Sequence, residues 1–154
     1  MNSDRRARLA QLGLELPGVS PPGGGYVPAV RQGNLVYVSG QVPMIDGKLA
    51  ATGKVGDEVT PEQARELTQR CALAALAAVD SVAGLDNIVQ VVKVTGYVAS
   101  AEGFDGQPGV VDGASELFVA VFGDAGRHAR TSVGVAELPL GSPVEVEIIV
   151  EVAG

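Results

Sequence analysis

The 154 residues carry 18 acidic and 11 basic side chains, a formal net charge of -7, and are 46% hydrophobic, with one cysteine and one histidine. That length and apolar content suit one core, while the acidic excess argues against nucleic-acid binding, which needs a basic stripe to neutralise phosphates. Cys71 alone supplies neither an internal disulfide nor a cysteine-rich zinc site, and no apolar run is long enough to cross a bilayer; the expectation is a soluble cytoplasmic chain, without a metal site or membrane partner, in a reducing compartment.

From the N-terminus, SDRRARLAQLGLEL reads as a short helix capped by Ser3, its arginines a solvated face. PGVSPPGGG is a connector: no strand precedes it and no helix start follows, so its glycines do not form a phosphate loop. Residues 1–25 are thus an N-terminal helix and Pro/Gly-rich connector, and 26–154 the core of a single domain. YVPAVRQ and NLVYVSG form a hairpin, and a third short strand follows within VPMIDGKLAATG.

The clearest helix starts at Thr60, an N-cap followed by Pro61 at the first helical position and Gln63 to complete a capping box. Ala64, Leu67, Cys71, Ala74, Ala75, Ala78 and Val82 keep helical spacing up to Gly84, a C-terminal stop. Cys71 lies on that apolar stripe and reads as core filler rather than a reactive thiol.

IVQVVKVTGYVA, residues 88–99, is too β-branched to prefer a helix and reads as a strand. ASAEGFDGQPG is a long loop, after which Asp112 is expected to cap a second helix through ASELFVAVFG, with Leu117, Phe118 and Val121 packing inward. TSVGVAEL and PVEVEIIVEV are strands joined by a turn at residues 139–143. The order implies an α+β fold, a mixed sheet of about six strands with two helices packed on one face. In the last strand Val144, Val146, Ile148 and Val150 point one way and Glu145, Glu147, Ile149 and Glu151 the other. Two helices cover one face only, so the mixed polar and apolar face is expected to meet a second subunit or wall a pocket.

GRHARTSVGVAELP, residues 126–139, gathers the lone His128 and two arginines at the mouth of an apolar run, with Arg130 sharing the parity of Ser132. On residue types alone, Arg130 and Glu145 read as two halves of a structural ion pair, and Glu145 and Glu147 are equal candidates for a general base. His128 reads as a solvated loop residue, since a lone histidine lacks the second acid or base of nucleophilic or ribonuclease chemistry. Ser39 stands outside any nucleophile elbow.

VSGQVP at 38–43, ARTSVGVAELP at 129–139 and VEVEIIVEV at 144–152 are similar, in order and spacing, to the signature segments of the Rid family, the reactive intermediate deaminases also called RidA/YjgF or L-PSP. The resemblance runs from about Tyr26 to the C-terminus. It implies a chorismate-mutase-like fold, a homotrimeric barrel with its helices outside, and active sites in clefts between subunits. It also implies hydrolysis of small carboxylate-bearing enamines and imines, such as 2-aminoacrylate, to 2-keto acids and ammonia, without cofactor or metal. By the same resemblance Arg130 grips the substrate carboxylate, Glu145 activates water, and Tyr26 reaches in from the neighbouring subunit. Ser39, Gly40, Asp112 and Ser132 line the pocket. Ser132 stands where many members have cysteine, Asp112 where some have asparagine, and His128 where proline is common. With the N-terminal extension and the loop at 100–110, these mark a divergent branch. A noncatalytic small-molecule-binding or regulatory trimer is the alternative function, and an endoribonuclease the third.

Overall fold

The computed structural model describes residues 4–154. Helix α1 (Arg5–Gln11) is capped by Asp4, whose carboxylate accepts the Ala7 amide proton at 2.8 Å; the Ser3 cap expected from the sequence lies outside the described residues. Its arginines are more than a solvated face. The Arg5 amide donates to Asp86, Arg6 pairs with Asp80 at 2.7 Å, Arg8 donates to the Ala120 carbonyl, and Arg5 stacks over Phe122. The segment after α1 then carries Ser20–Gly23 to the wall of the cavity described below.

β1 (Ala29–Gln32), β2 (Leu35–Val38), β7 (Val144–Val152), β5 (Ile88–Ala99) and β6 (Ala129–Val135) form the main sheet in that order. Neighbours are antiparallel except β5 and β6, which run parallel and are joined by the second long helix. The expected third strand is instead a separate two-stranded hairpin, β3 (Met44–Ile45) with β4 (Lys48–Leu49). Asp46 and Gly47 both have positive φ there, as the tight turn requires. The sheet therefore has five strands with a hairpin beside it.

α2 (Pro61–Ala83) carries the expected capping box at Thr60 and Gln63. α3 begins earlier than expected: it spans Gln107–Phe122, capped by Gly106 without a side-chain bond. Pro108 is tolerated in the first turn, and the Gln107 amide folds the preceding loop back by donating to Ser100 Oγ and the Phe104 carbonyl. Asp112 is thus inside the helix rather than its N-cap, and the connecting loop ends before Gln107.

Both helices pack on one face. Val144, Val146, Ile148, Val150 and Val152 of β7 are buried beneath them with Val91, Val94 and Val98 of β5, as the alternation implied. The fit depends on glycine. A Cβ at Gly113 would collide with the Arg65 carbonyl of α2, and one at Gly96 with the Val111 side chain of α3. Thr68, fully buried, donates across the same contact to the Val110 carbonyl at 2.8 Å. Cys71 is also fully buried, and desolvation pushes its thiol far from ionisation.

Gly113→Ala should force α2 and α3 apart and destabilise the fold by about 1–3 kcal/mol, read as a fall of several degrees in Tm. Cys71 in native protein should react with a thiol reagent only at the rate of unfolding; fast labelling under native conditions would contradict its burial.

Candidate functional site

Strand register decides which side chains can meet. Side chains of partners directly opposite in a sheet share a face. Arg130 is opposite Val94, which is opposite Ile148, and Ser132 is opposite Gly96 and then Val146, so Arg130 and Ser132 lie on the helix-covered face. Glu145 is opposite Tyr97 and Glu147 opposite Thr95, on the open face. The ion pair between Arg130 and Glu145 suggested by residue types therefore does not form: one sheet separates them.

On the open face, Glu145 lines a cavity of about 430 Å³ with Tyr26, Gly40, Gln41, Met44 and Leu140, closed on one side by Pro21, Pro22 and Gly23 of the N-terminal segment. Beyond β2 the chain rejoins β7 through reciprocal backbone bonds between Gln41 and Val146, 2.8 and 3.0 Å, which set Gly40 against the Glu145 carboxylate. A Cβ at position 40 would overlap a Glu145 oxygen, so glycine is required for this approach. Ser39 holds the strand end rather than the cavity: its hydroxyl donates to the Val27 carbonyl at 2.6 Å, and its amide to Pro28. Tyr26 shares the cavity with Glu145 of its own chain and accepts the Gly23 amide proton at 3.2 Å. Leu140, 76% exposed, has φ of 61° at the rim.

Two glutamates that the sequence left equivalent differ in their surroundings. Glu147 accepts the Tyr97 hydroxyl proton at 2.6 Å, and that bond is the main reason the phenol is pushed up to about 12. The Glu145 carboxylate makes no hydrogen bond among the described residues. Burial first, and the charge of Glu147 second, raise its pKa above the ordinary glutamate value. A half-buried, unpaired and more basic carboxylate in a cavity is suited to taking a proton from water.

On the helix side, Arg130 Nη1 donates to Asp112 Oδ1 at 2.7 Å and to Ser115 Oγ at 3.1 Å. Asp112 and Ser115, three residues apart on α3, present one face to the edge strand β6. Ser132 Oγ, two residues along from Arg130, is buried and has no hydrogen-bond partner among the described residues. His128 is not the solvated residue the sequence suggested: it is half-buried, edge-on to Phe118, with Nε2 at 2.9 Å from Ser115 Oγ and Nδ1 at 2.6 Å from the Gly126 carbonyl. Ser115 was not a candidate from sequence, since the misplaced helix start hid its spacing from Asp112. The expected site residues thus form two groups, Arg130, Asp112 and Ser132 on one side, and Tyr26, Gly40 and Glu145 on the other. Among the described residues, no cluster of three or more His, Cys, Asp or Glu could hold a metal ion, and no helix is long and apolar enough to cross a membrane.

Known proteins resemble this chain in sequence and in fold. The chain is 40% identical over 147 residues to Protein TCP17 of Trypanosoma cruzi, covering 94% of this chain and 92% of that one. It is 33% identical over 138 residues to a 2-iminobutanoate/2-iminopropanoate deaminase of Dermatophagoides farinae, covering 89% and 93%. The crystal structure of Atu1372, a protein of unknown function from Agrobacterium tumefaciens, superposes with a TM-score of 0.88 at 43% identity, covering 97% and 94%. The family model described as Endoribonuclease L-PSP matches residues 18–152. With its α+β sheet, its paired helices and this match over most of its length, the chain belongs to the L-PSP family, the RidA/YjgF group, and has that family's chorismate-mutase-like fold.

Proposed function

We propose that the protein is a cytoplasmic imine deaminase, hydrolysing small 2-imino acids to 2-oxo acids and ammonia in a homotrimer whose sites each draw on two subunits. The observation that carries this reading is Glu145, an unpaired carboxylate of raised basicity in a largely apolar cavity. The deaminase among the relatives supports the reaction class. Arg130 and Glu145 occupy opposite faces of one sheet, so a site using both takes Arg130 and Ser132 from one subunit and Glu145, Tyr26 and Gly40 from the next. The open face also carries Tyr37 and Val133, 45% and 38% exposed, which a neighbouring subunit would cover.

In this site the guanidinium holds the substrate carboxylate. Glu145 takes a proton from water as the oxygen bonds to the imine carbon, and the C=N π pair moves to nitrogen, which takes a proton from solvent that the later loss of the hydroxyl proton returns. The resulting carbinolamine collapses when the C–N bond breaks toward nitrogen: Glu145 returns its proton to the departing ammonia, and the hydroxyl proton is released as the carbonyl forms. Water is the co-substrate, and no cofactor takes part. The endoribonuclease activity in the family's description fits this chain less well, given a net charge of -7 and a single histidine with both ring nitrogens engaged. The pairing of Arg130 with Asp112 favours a second reading, a trimer that binds small carboxylates without hydrolysing imines.

Arg130→Ala should lower catalytic efficiency on 2-aminoacrylate about 30- to 1,000-fold, or ~2–4 kcal/mol, measured as released ammonia. Glu145→Gln should abolish turnover while 2-oxobutanoate still binds; binding by wild type with no hydrolysis of any imine would establish the second reading instead. Because Glu145 must be ionised to act, activity should fall as pH drops through its raised pKa, and Glu147→Gln, which removes the like charge, should move that limb to lower pH. Burial that raises a carboxyl pKa favours folding of the protonated form, an advantage present at low pH and lost as pH rises through the folded-state pKa. Glu145→Gln should therefore melt no lower than wild type at neutral pH.

Co-expressing Arg130→Ala with Glu145→Gln tests the shared site. In a cyclic trimer each mixed assembly regenerates one intact site, so about a quarter of wild-type activity should return. No recovery from verified mixed trimers would place both residues in a site of one chain, and a well-folded monomer in sedimentation would remove the trimer altogether.

A further inference from the structure

Arg130 is one end of a chain of hydrogen bonds whose donors and acceptors follow, for a neutral His128 ring, by elimination. The Gly126 carbonyl can only accept, so His128 Nδ1, at 2.6 Å, carries the proton that it donates. In the neutral imidazole Nε2 is then the acceptor, and the Ser115 hydroxyl, at 2.9 Å, donates to it. With its only proton committed, Ser115 Oγ presents a lone pair to Arg130 Nη1 at 3.1 Å. The second Nη1 proton goes to Asp112 Oδ1 at 2.7 Å. Both protons of Nη1 are thereby used, whereas Nε and Nη2 make no hydrogen bond among the described residues.

The supports of this chain are rigid. Gly126 sits so close to α3 that a Cβ there would collide with the Phe118 carbonyl, and Gly113, next to Asp112, is pressed against α2 in the same way. His128 is further held edge-on against Phe118, which is itself fully buried. His128 Nδ1 ties the ring to the last carbonyl of the short 3-10 turn Gly123–Gly126, while the Ser115 hydroxyl caps no helix or strand end and bonds only His128 and Arg130.

We propose that Ser115 and His128 are positioning residues for Arg130: they lock one amino group of the guanidinium so that its Nε–Nη2 edge is held out to receive a ligand carboxylate bidentately. The inference rests on the carboxylate-clamp reading of Arg130 given above. A guanidinium left to swing about its stem would spend binding free energy on being ordered, and an edge already set does not. Asp112 fixes the same amino group and offsets its charge. Ser115 contributes no charge, so its effect on the clamp is directional, and His128 acts only by setting the direction of the Ser115 hydroxyl.

The test is the affinity of the full-length protein for 2-oxobutanoate, a non-hydrolysable carboxylate, by calorimetry, with thermal melts of every variant alongside. Ser115→Ala should weaken binding about three- to ten-fold, His128→Leu should weaken it less, and His128→Gln, which keeps an acceptor for the hydroxyl, should restore it toward wild type. A double-mutant cycle separates positioning from general structure: in an Arg130→Ala background, Ser115→Ala should have no further effect on affinity. Equal losses from Ser115→Ala with and without Arg130, or unchanged affinity in Ser115→Ala and His128→Leu, would overturn the proposal while leaving the clamp intact. Failure of folded wild type to bind any 2-oxo acid, with Arg130→Ala indistinguishable from it, would overturn the clamp reading and this inference with it.

Discussion

A β-strand sends alternate side chains to opposite faces, and in this protein that constraint determines where chemistry can occur. β7 gives its valines and Ile148 to the helices and its glutamates to the open face, while β6, two strands away, gives Arg130 and Ser132 to the helix side. Helix burial fixes the register, because a slip of one residue would put the glutamates into the core. The cation and the base are consequently held apart within one chain, each by the interaction that stabilises it. A site that unites them needs a second copy, so in the proposed enzyme folding and assembly serve the same geometry.

Glycine makes the approach distances possible. Gly96 lets α3 lie on β5, Gly113 lets α3 lie on α2, Gly126 lets the turn before β6 lie on α3, and Gly40 lets a strand end lie on Glu145. Three of the four locate α3, the helix that carries Asp112 and Ser115. The position of the Arg130 guanidinium thus follows from close packing several residues away, and close-packed interiors transmit such displacements rather than absorb them.

The Arg130 and Glu145 groups differ electrostatically in a way that suits the roles proposed for them. Arg130 is partly neutralised by Asp112 and donates as well to the neutral Ser115 hydroxyl oxygen, which leaves a directional but moderate cation. The Glu145 carboxylate is half-buried beside a like charge and receives no hydrogen bond among the described residues, so its ionised form is disfavoured and its affinity for a proton raised. The N-terminal segment lines the cavity that holds Glu145. α1 is anchored on Asp80, Asp86 and Ala120, and the chain beyond it brings Pro21 and Pro22 to the cavity wall.

The sequence by itself determined the elements that local rules govern. Thr60, Pro61 and Gln63 specify the start of α2, and the alternation of β7 specifies which of its side chains are buried, because capping and strand periodicity involve residues close along the chain. The three family segments made the fold legible, and they named Arg130 and Glu145. Where signals competed, local reading failed: Asp112 resembled a cap, yet Pro108 and the back-folded Gln107 side chain start α3 earlier, and Asp46-Gly47 turned one expected strand into a hairpin. What only the tertiary structure decided were pairings across sequence distance. That Arg130 bonds Asp112 instead of Glu145, that His128 is held by Ser115 and Gly126, and that Glu145 rather than Glu147 lacks a partner all depend on strand order and helix position. The physical reason is that a side chain's protonation and direction are set by neighbours brought together through packing, and no spacing along the chain records them.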